Sequence, residues 1–171
     1  MNHLETLTAE WLAYNGYFVH TAVKVGKRAK GGWDGELDVV AVHPARRHFL
    51  HVECSIAATT WENLEKTFKR KFTLGRKHAR DLFSGMELPT ALDQAVVYGY
   101  AAAADQHREL GGGRLVTGQE LTAEIITGIP VARKGTVPEN YPLLRTLQFA
   151  KMAGAKVNTP NARLIPREVE T

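Results

Sequence analysis

Apolar positions along the chain switch between the two spacings that mark helices and strands. Leu4, Leu7, Trp11, Leu12 and Tyr14 fall on one side of a helical repeat, and Asn15-Gly16 supplies a stop, so 3–15 is expected to be helical. Residues 17–25 are rich in β-branched and aromatic side chains and predict a strand; 36–43 and 48–56 predict two more. The short turn at Pro44 to Arg47 makes the second and third strands an antiparallel hairpin. Residues 26–35 are basic and glycine-rich and read as a mobile loop holding Trp33. A long helix is predicted from about Thr60 to Phe83, capped by Thr59 or Thr60, with Trp61, Leu64, Phe68, Phe72, Gly75, Ala79 and Leu82 inward. Beyond Pro89 the pattern predicts a strand over 93–101 and a short helix over 103–110. A turn at Gly111-Gly112-Gly113, a short strand at Leu115-Val116 and helices over 118–128 and 139–153 follow. The apolar side of 141–153 suits either core packing or a homodimer contact. The order α-β-β-β-α-β-α-β-α-α implies an α/β fold with a mixed central sheet flanked by helices. Residues 1–155 read as a single domain and 156–171 as an extended C-terminal tail.

Composition narrows the class. The 171 residues are 44% hydrophobic and 23% charged, the balance of a globular protein rather than a disordered, collagenous or coiled-coil chain. No apolar run reaches the ~18–20 residues of a membrane span, and the polar start, with Glu5 and Glu10, is unlike a signal peptide. The lone Cys54 forms no internal disulfide, which suits a reducing, cytoplasmic setting. The net charge of +4 is unevenly spread: residues 66–80 carry seven Lys and Arg and no acid, leaving 4 − 7 = −3 for the rest. A basic helix on a slightly acidic body suits a phosphate backbone, DNA before RNA; it equally describes a solvated helix face.

The chemistry-bearing residues lie on the hairpin. Strand alternation groups Glu36, Asp38, Val40 and Val42 on one face, and His51, Glu53 and Ser55 on one face of the next strand. Asp38 and Glu53 thus sit on adjacent strands amid the most apolar sequence in the chain. Two facing carboxylates repel unless a cation or proton intervenes. Oxygen donors of this kind suit Mg²⁺ or Mn²⁺. The plainer alternative is a polar, water-facing side of the hairpin. His51 could reach a phosphate or a water at the site, or be an ordinary strand histidine; Cys54 points the other way, into the core. The glycine triplet lacks a P-loop frame, and no Cys or His pair has zinc spacing.

Gly35-Glu36-Leu37-Asp38-Val39-Val40-Ala41, a hairpin, then His51-Val52-Glu53-Cys54-Ser55 resembles the PD-(D/E)xK nuclease superfamily. That group includes restriction endonucleases and Holliday-junction resolvases. The resemblance covers about residues 3–101 and implies a restriction-endonuclease-like α-β-β-β-α-β core. It also implies metal ligation by Asp38, Glu53 and the Cys54 carbonyl, with an acid from the first helix: Glu5, or alternatively Glu10. The motif lysine is absent, for Ser55 stands in its place. The superfamily is known to relocate this lysine, and Lys66 or Lys69 on the following helix is the favoured replacement, with Lys24 next. The implied activity is metal-dependent phosphodiester hydrolysis of DNA. Lys24, Lys27, Arg28, Lys30, Lys69, Arg70, Arg76 and Lys77 would hold the backbone, and Trp33 would stack on a base. Two other readings compete: a catalytically degenerate nuclease fold serving as a nucleic-acid-binding or assembly module, and an unrelated α/β domain.

Overall fold

The computed structural model describes residues 2–99, 107–131 and 135–166. Helix α1 (His3–Tyr14) begins at Asn2, whose side chain accepts from the Leu4 and Glu5 amides, and it buries Leu4, Trp11 and Leu12. Strands β1 (Phe18–Lys27), β2 (Trp33–His43) and β3 (His48–Ser55) form an antiparallel meander. Helix α2 (Trp61–His78) starts at Thr60, whose Oγ1 accepts from the Asn63 amide, and a 3-10 turn continues it over Ala79–Phe83. The chain then returns as β4 (Asp93–Tyr98), parallel to β3. Strands β5 (Glu109–Leu110) and β6 (Gly113–Thr117) complete a six-stranded mixed sheet in the order β1-β2-β3-β4-β6-β5. Helices α3 (Gly118–Gly128) and α4 (Pro142–Met152) follow. No helix among the described residues is long and apolar enough to cross a membrane.

The sheet separates two apolar layers. On one side Val39, Ala41, Leu50, Val52, Cys54, Ala95, Val97 and Val116 pack with α1, α3 and α4. On the other, Val40, Val42 and Phe49 meet Ala79 and Phe83, while Val96 and Leu115 meet Leu64, Phe68 and Phe72 of α2. Period-two alternation along β2 and β3 dictates this division. Leu144 of α4 is fully buried, so this side of the helix packs into the core, while Phe149 and Met152 remain exposed.

Three expectations need correction, and the glycine turn is found where it was expected. Half of the 26–35 segment is strand: β1 and β2 pair out to Lys27 opposite Trp33, leaving a five-residue connection over 28–32, so Trp33 stands on a strand and is exposed rather than carried by a loop. Glu109–Leu110 is a strand, not the end of a helix; the rest of that expected helix, and the end of the 93–101 strand, fall largely on 100–106, outside the described residues. Gly111 and Gly112, at φ +62° and +84°, make a two-residue turn between β5 and β6, the geometry that twisted hairpins favour. The tail is not simply extended. Leu164 and Ile165 are buried, their amides donating to the Glu124 carboxylate, which also accepts from the Trp11 indole at 2.9 Å. Residues 167–171 lie outside the described residues.

One strain point borders the hairpin chemistry. Between the pairs Thr21↔Val39 and Val23↔Leu37 stands Ala22, opposite Asp38, in the left-handed region at φ +51°. There Leu37 departs from strict alternation and joins Val25, Val40 and Val42 on the α2 side. A non-glycine residue in this region is strained, and glycine is not. Ala22→Gly should therefore raise unfolding free energy by about 0.5–1 kcal/mol in a urea titration. A loss of stability of that size would contradict the assigned backbone.

Candidate active site on the β2–β3 hairpin

Asp38 ends the apolar run of β2 and Glu53 that of β3, and both carboxylates are sunk in the protein, with side chains 8% and 0% exposed. Charges this buried require partners. All four carboxylate oxygens have one. Asp38 Oδ2 accepts from the Cys54 amide at 2.9 Å, and Asp38 Oδ1 from Lys71 Nζ at 2.9 Å. Lys71 Nζ also donates to Glu53 Oε2. Glu53 Oε1 faces His51 Nε2 at 2.7 Å. One ammonium therefore bridges two acids from neighbouring strands.

The electrostatics follow from burial and crowding. Desolvation, then repulsion from Glu53, pushes the Asp38 carboxyl up to about 6. Desolvation likewise raises Glu53, against the pull of Lys71. Burial alone would lower the Lys71 ammonium, but the charges of Glu53 and Asp38 outweigh it and raise it. His51 is fully enclosed, and desolvation drives its imidazole down to about 3, so the ring is neutral.

The cation expected at the hairpin comes from the expected helix but from a different residue. Lys66 pairs instead with Glu62 at 2.7 Å on the outer side of α2, and Lys69 is exposed. Lys24 is exposed on β1, opposite Glu36. The signal that singles out Lys71 was present in the helix pattern. It lies seven residues after Leu64, three after Phe68 and four before Gly75, all buried, so it shares the buried stripe. Ser55 Oγ accepts from the Ala57 amide and bonds neither acid.

The first-helix acids separate clearly. Glu10 accepts from the Leu143 and Leu144 amides at 3.0 Å and so caps α4. Glu5 is buried, bonded to the Asn2 side chain, and near enough to Cys54 to add to the burial that raises its thiol. The Cys54 thiol sits on the α1 side, 3.6 Å from Thr8 Oγ1.

The basic face is partly committed to internal contacts. Arg76 donates to Gln94 at 2.6 Å, and Arg80 to the Pro89 and Thr90 carbonyls. Arg28 pairs with Asp34 at 2.8 Å. Lys27, Lys30, Lys69, Arg70 and Lys77 are exposed.

Among the described residues no group of three or more His, Cys, Asp and Glu is arranged to hold a metal. Two hard oxygen donors nevertheless converge at Lys71 Nζ, which occupies the space between them. In an extended strand the N–H and C=O of one residue point to the same edge. The Cys54 carbonyl therefore lies on the edge facing Asp38, as its amide does. This donor set fits Mg²⁺ or Mn²⁺ once the ammonium moves aside. No protein-family model matches the chain, and no curated protein is significantly similar to it.

The crowding has a consequence for the metal-free protein. The folded Asp38 carboxyl holds its proton up to about 6, against an ordinary value of 3.8. Stability from this group is thus fully present below the ordinary value and is lost as pH rises through about 6. In EDTA, Asp38→Asn should melt a few degrees above the wild type at about pH 8, where about 1 kcal/mol moves Tm by ~2–4 °C. The gap should close near pH 4. Equal melting at both pH values would contradict the repulsive pair.

Proposed function

We propose that the protein is a metal-dependent nuclease that hydrolyses phosphodiester bonds in DNA. One observation carries this reading: a buried Asp38 and Glu53, on adjacent strands of a hairpin, share the ammonium of Lys71. The order α1-β1-β2-β3-α2-β4, with β3 and β4 parallel, supports a restriction-endonuclease-like core. In this reading Lys71 takes the part of the motif lysine that Ser55 replaces, reaching the acids from α2 instead of β3.

Asp38 and Glu53 would hold Mg²⁺ or Mn²⁺, with the Cys54 carbonyl beside them and Glu5 behind. Bound there, the ion would supply an activated water and neutralise charge on the scissile phosphate. Lys71 would swing from the carboxylates to a phosphate oxygen. There its charge would stabilise the dianionic transition state. Lys69, Arg70 and Lys77 on α2, and Lys24, Lys27 and Lys30 on the β1–β2 ribbon, would contact the backbone electrostatically. Exposed Trp33, at the end of that ribbon, would stack on an unpaired base.

A second reading has its own support: with every carboxylate oxygen already engaged, the same site serves equally as a neutralised scaffold in a DNA-binding module without cleavage.

The deciding assay incubates the protein with plasmid, branched and single-stranded DNA, and with RNA, in Mg²⁺, Mn²⁺ or EDTA. Metal-dependent cutting of DNA is expected. Lys71→Ala should lower its rate at least about 100-fold. Lys66→Ala and Lys69→Ala should stay within a few-fold of wild type. Ser55→Lys, placing a second cation beside the first, should not increase the rate. Salt-sensitive binding without cleavage would favour the scaffold reading, and unchanged cutting by Lys71→Ala would overturn the assigned lysine.

A further inference from the structure

Behind Glu53 runs a polar chain, buried at His51 and Gln94 and ending at the exposed Arg76, that metal ligation does not require. Arg76 Nη1 donates to Gln94 Oε1 at 2.6 Å, and Gln94 Nε2 donates to the Phe72 carbonyl at 3.0 Å. A guanidinium only donates and a carbonyl only accepts, so these two contacts settle which way the Gln94 amide points. Its Nε2 also lies 3.1 Å from His51 Nδ1. That nitrogen must then accept, and the ring proton sits on Nε2, where it donates to Glu53 Oε1 at 2.7 Å. Each link forces the direction of the next.

A second observation shows that α2 is shaped around this chain. Gly75 lies inside the helix, where glycine costs about 1 kcal/mol relative to alanine. A Cβ there would come within 2.1 Å of His51 Nδ1 and 3.1 Å of Gln94 Nε2. The helix gives up propensity at the one place where the imidazole and the amide press against it. Phe72, one turn earlier, closes the ring's other side in an edge contact at 5.5 Å.

We propose that Arg76, Gln94 and His51 are positioning residues that hold Glu53 Oε1 from behind, so that Oε2 is the oxygen presented to Lys71 and to a divalent cation. Groups of this kind usually bear on affinity for the ion rather than on contact with the nucleic acid. The proposal also gives Arg76 an inward task in place of the phosphate contact that its place in the basic run suggests. The consequence for a cation rests on the nuclease reading above; the direction of the hydrogen bonds does not.

The test has two arms. A long-range ¹H–¹⁵N correlation spectrum of the full-length, metal-free protein, with His51 assigned by its loss in His51→Phe, should show Nε2 protonated and Nδ1 bare. Gln94→Met, which keeps His51 and Glu53 but removes the donor to Nδ1, should shift the Nδ1 resonance while Nε2 stays protonated on Glu53. An Nδ1-protonated His51 in the wild type would overturn the chain. In the second arm, calorimetric Mn²⁺ titration of folded His51→Phe, which keeps ring volume without a donor, should give affinity about 10–100-fold weaker. His51→Gln, which retains an N–H near the Nε2 position, should recover part of the loss, and KM for DNA should be unchanged in both. Wild-type Mn²⁺ affinity in His51→Phe would reduce His51 to core filling and overturn the positioning role. A wild type with the Nε2-protonated ring but no Mn²⁺ uptake would instead contradict the nuclease reading.

Discussion

Two buried carboxylates cannot both stay ionised face to face without a cation, and Lys71 is the cation here. Much of the surrounding architecture follows from that need. The ammonium must come from an element packed over the hairpin, so α2 must cross β2 and β3 with one lysine turned inward among Leu64, Phe68, Phe72 and Gly75. Because β3 pairs with β4 only after α2 has crossed over, the parallel connection that builds the sheet also delivers the lysine. Fold and charge arrangement are therefore one problem, solved by one helix.

The apolar residues around the pair make its electrostatics sharp. Val40, Val42, Phe49 and the rings of α2 exclude water, and that exclusion raises the Asp38 carboxyl and keeps His51 neutral. An exposed Lys–Glu pair such as Lys66–Glu62 stabilises little and is readily screened. The same residue types at the hairpin form a group centred on one cation, since removing Lys71 would leave two buried carboxylates facing each other. Such desolvated, mutually perturbed groups recur at catalytic sites, and structural ion-pair networks produce them too.

Much of this was legible from spacing. Period-two alternation placed Glu53 on one face of β3 and Cys54 on the other, and helical spacing marked the inward face of α2, because each pattern reports directly on burial. Less legible was which cation turns inward: seven Lys and Arg crowd residues 66–80, and charge alone does not rank them. Lys66 and Lys69 lie on the helix that follows the motif strand, as Lys71 does, but the stripe Leu64, Phe68, Gly75 passes through Lys71. The Arg76–Gln94–His51 chain was not legible at all, since it joins residues from three elements through contacts that no local pattern encodes. The 26–35 segment misled for the opposite reason: its glycines suggest a loop, yet ladder pairing carries β1 and β2 through half of it.

On the proposed reading, the space between Asp38 and Glu53 is a cation site that Lys71 fills in the absence of metal. Crystals soaked in Mn²⁺ and measured at the manganese absorption edge test this directly. The account predicts an anomalous peak within bonding distance, about 2.0–2.3 Å, of Asp38 Oδ1 and Glu53 Oε2. Lys71 Nζ should be displaced from both acids, while His51 stays on Glu53 Oε1. No peak there, with the ammonium still seated between the carboxylates at millimolar Mn²⁺, would contradict it.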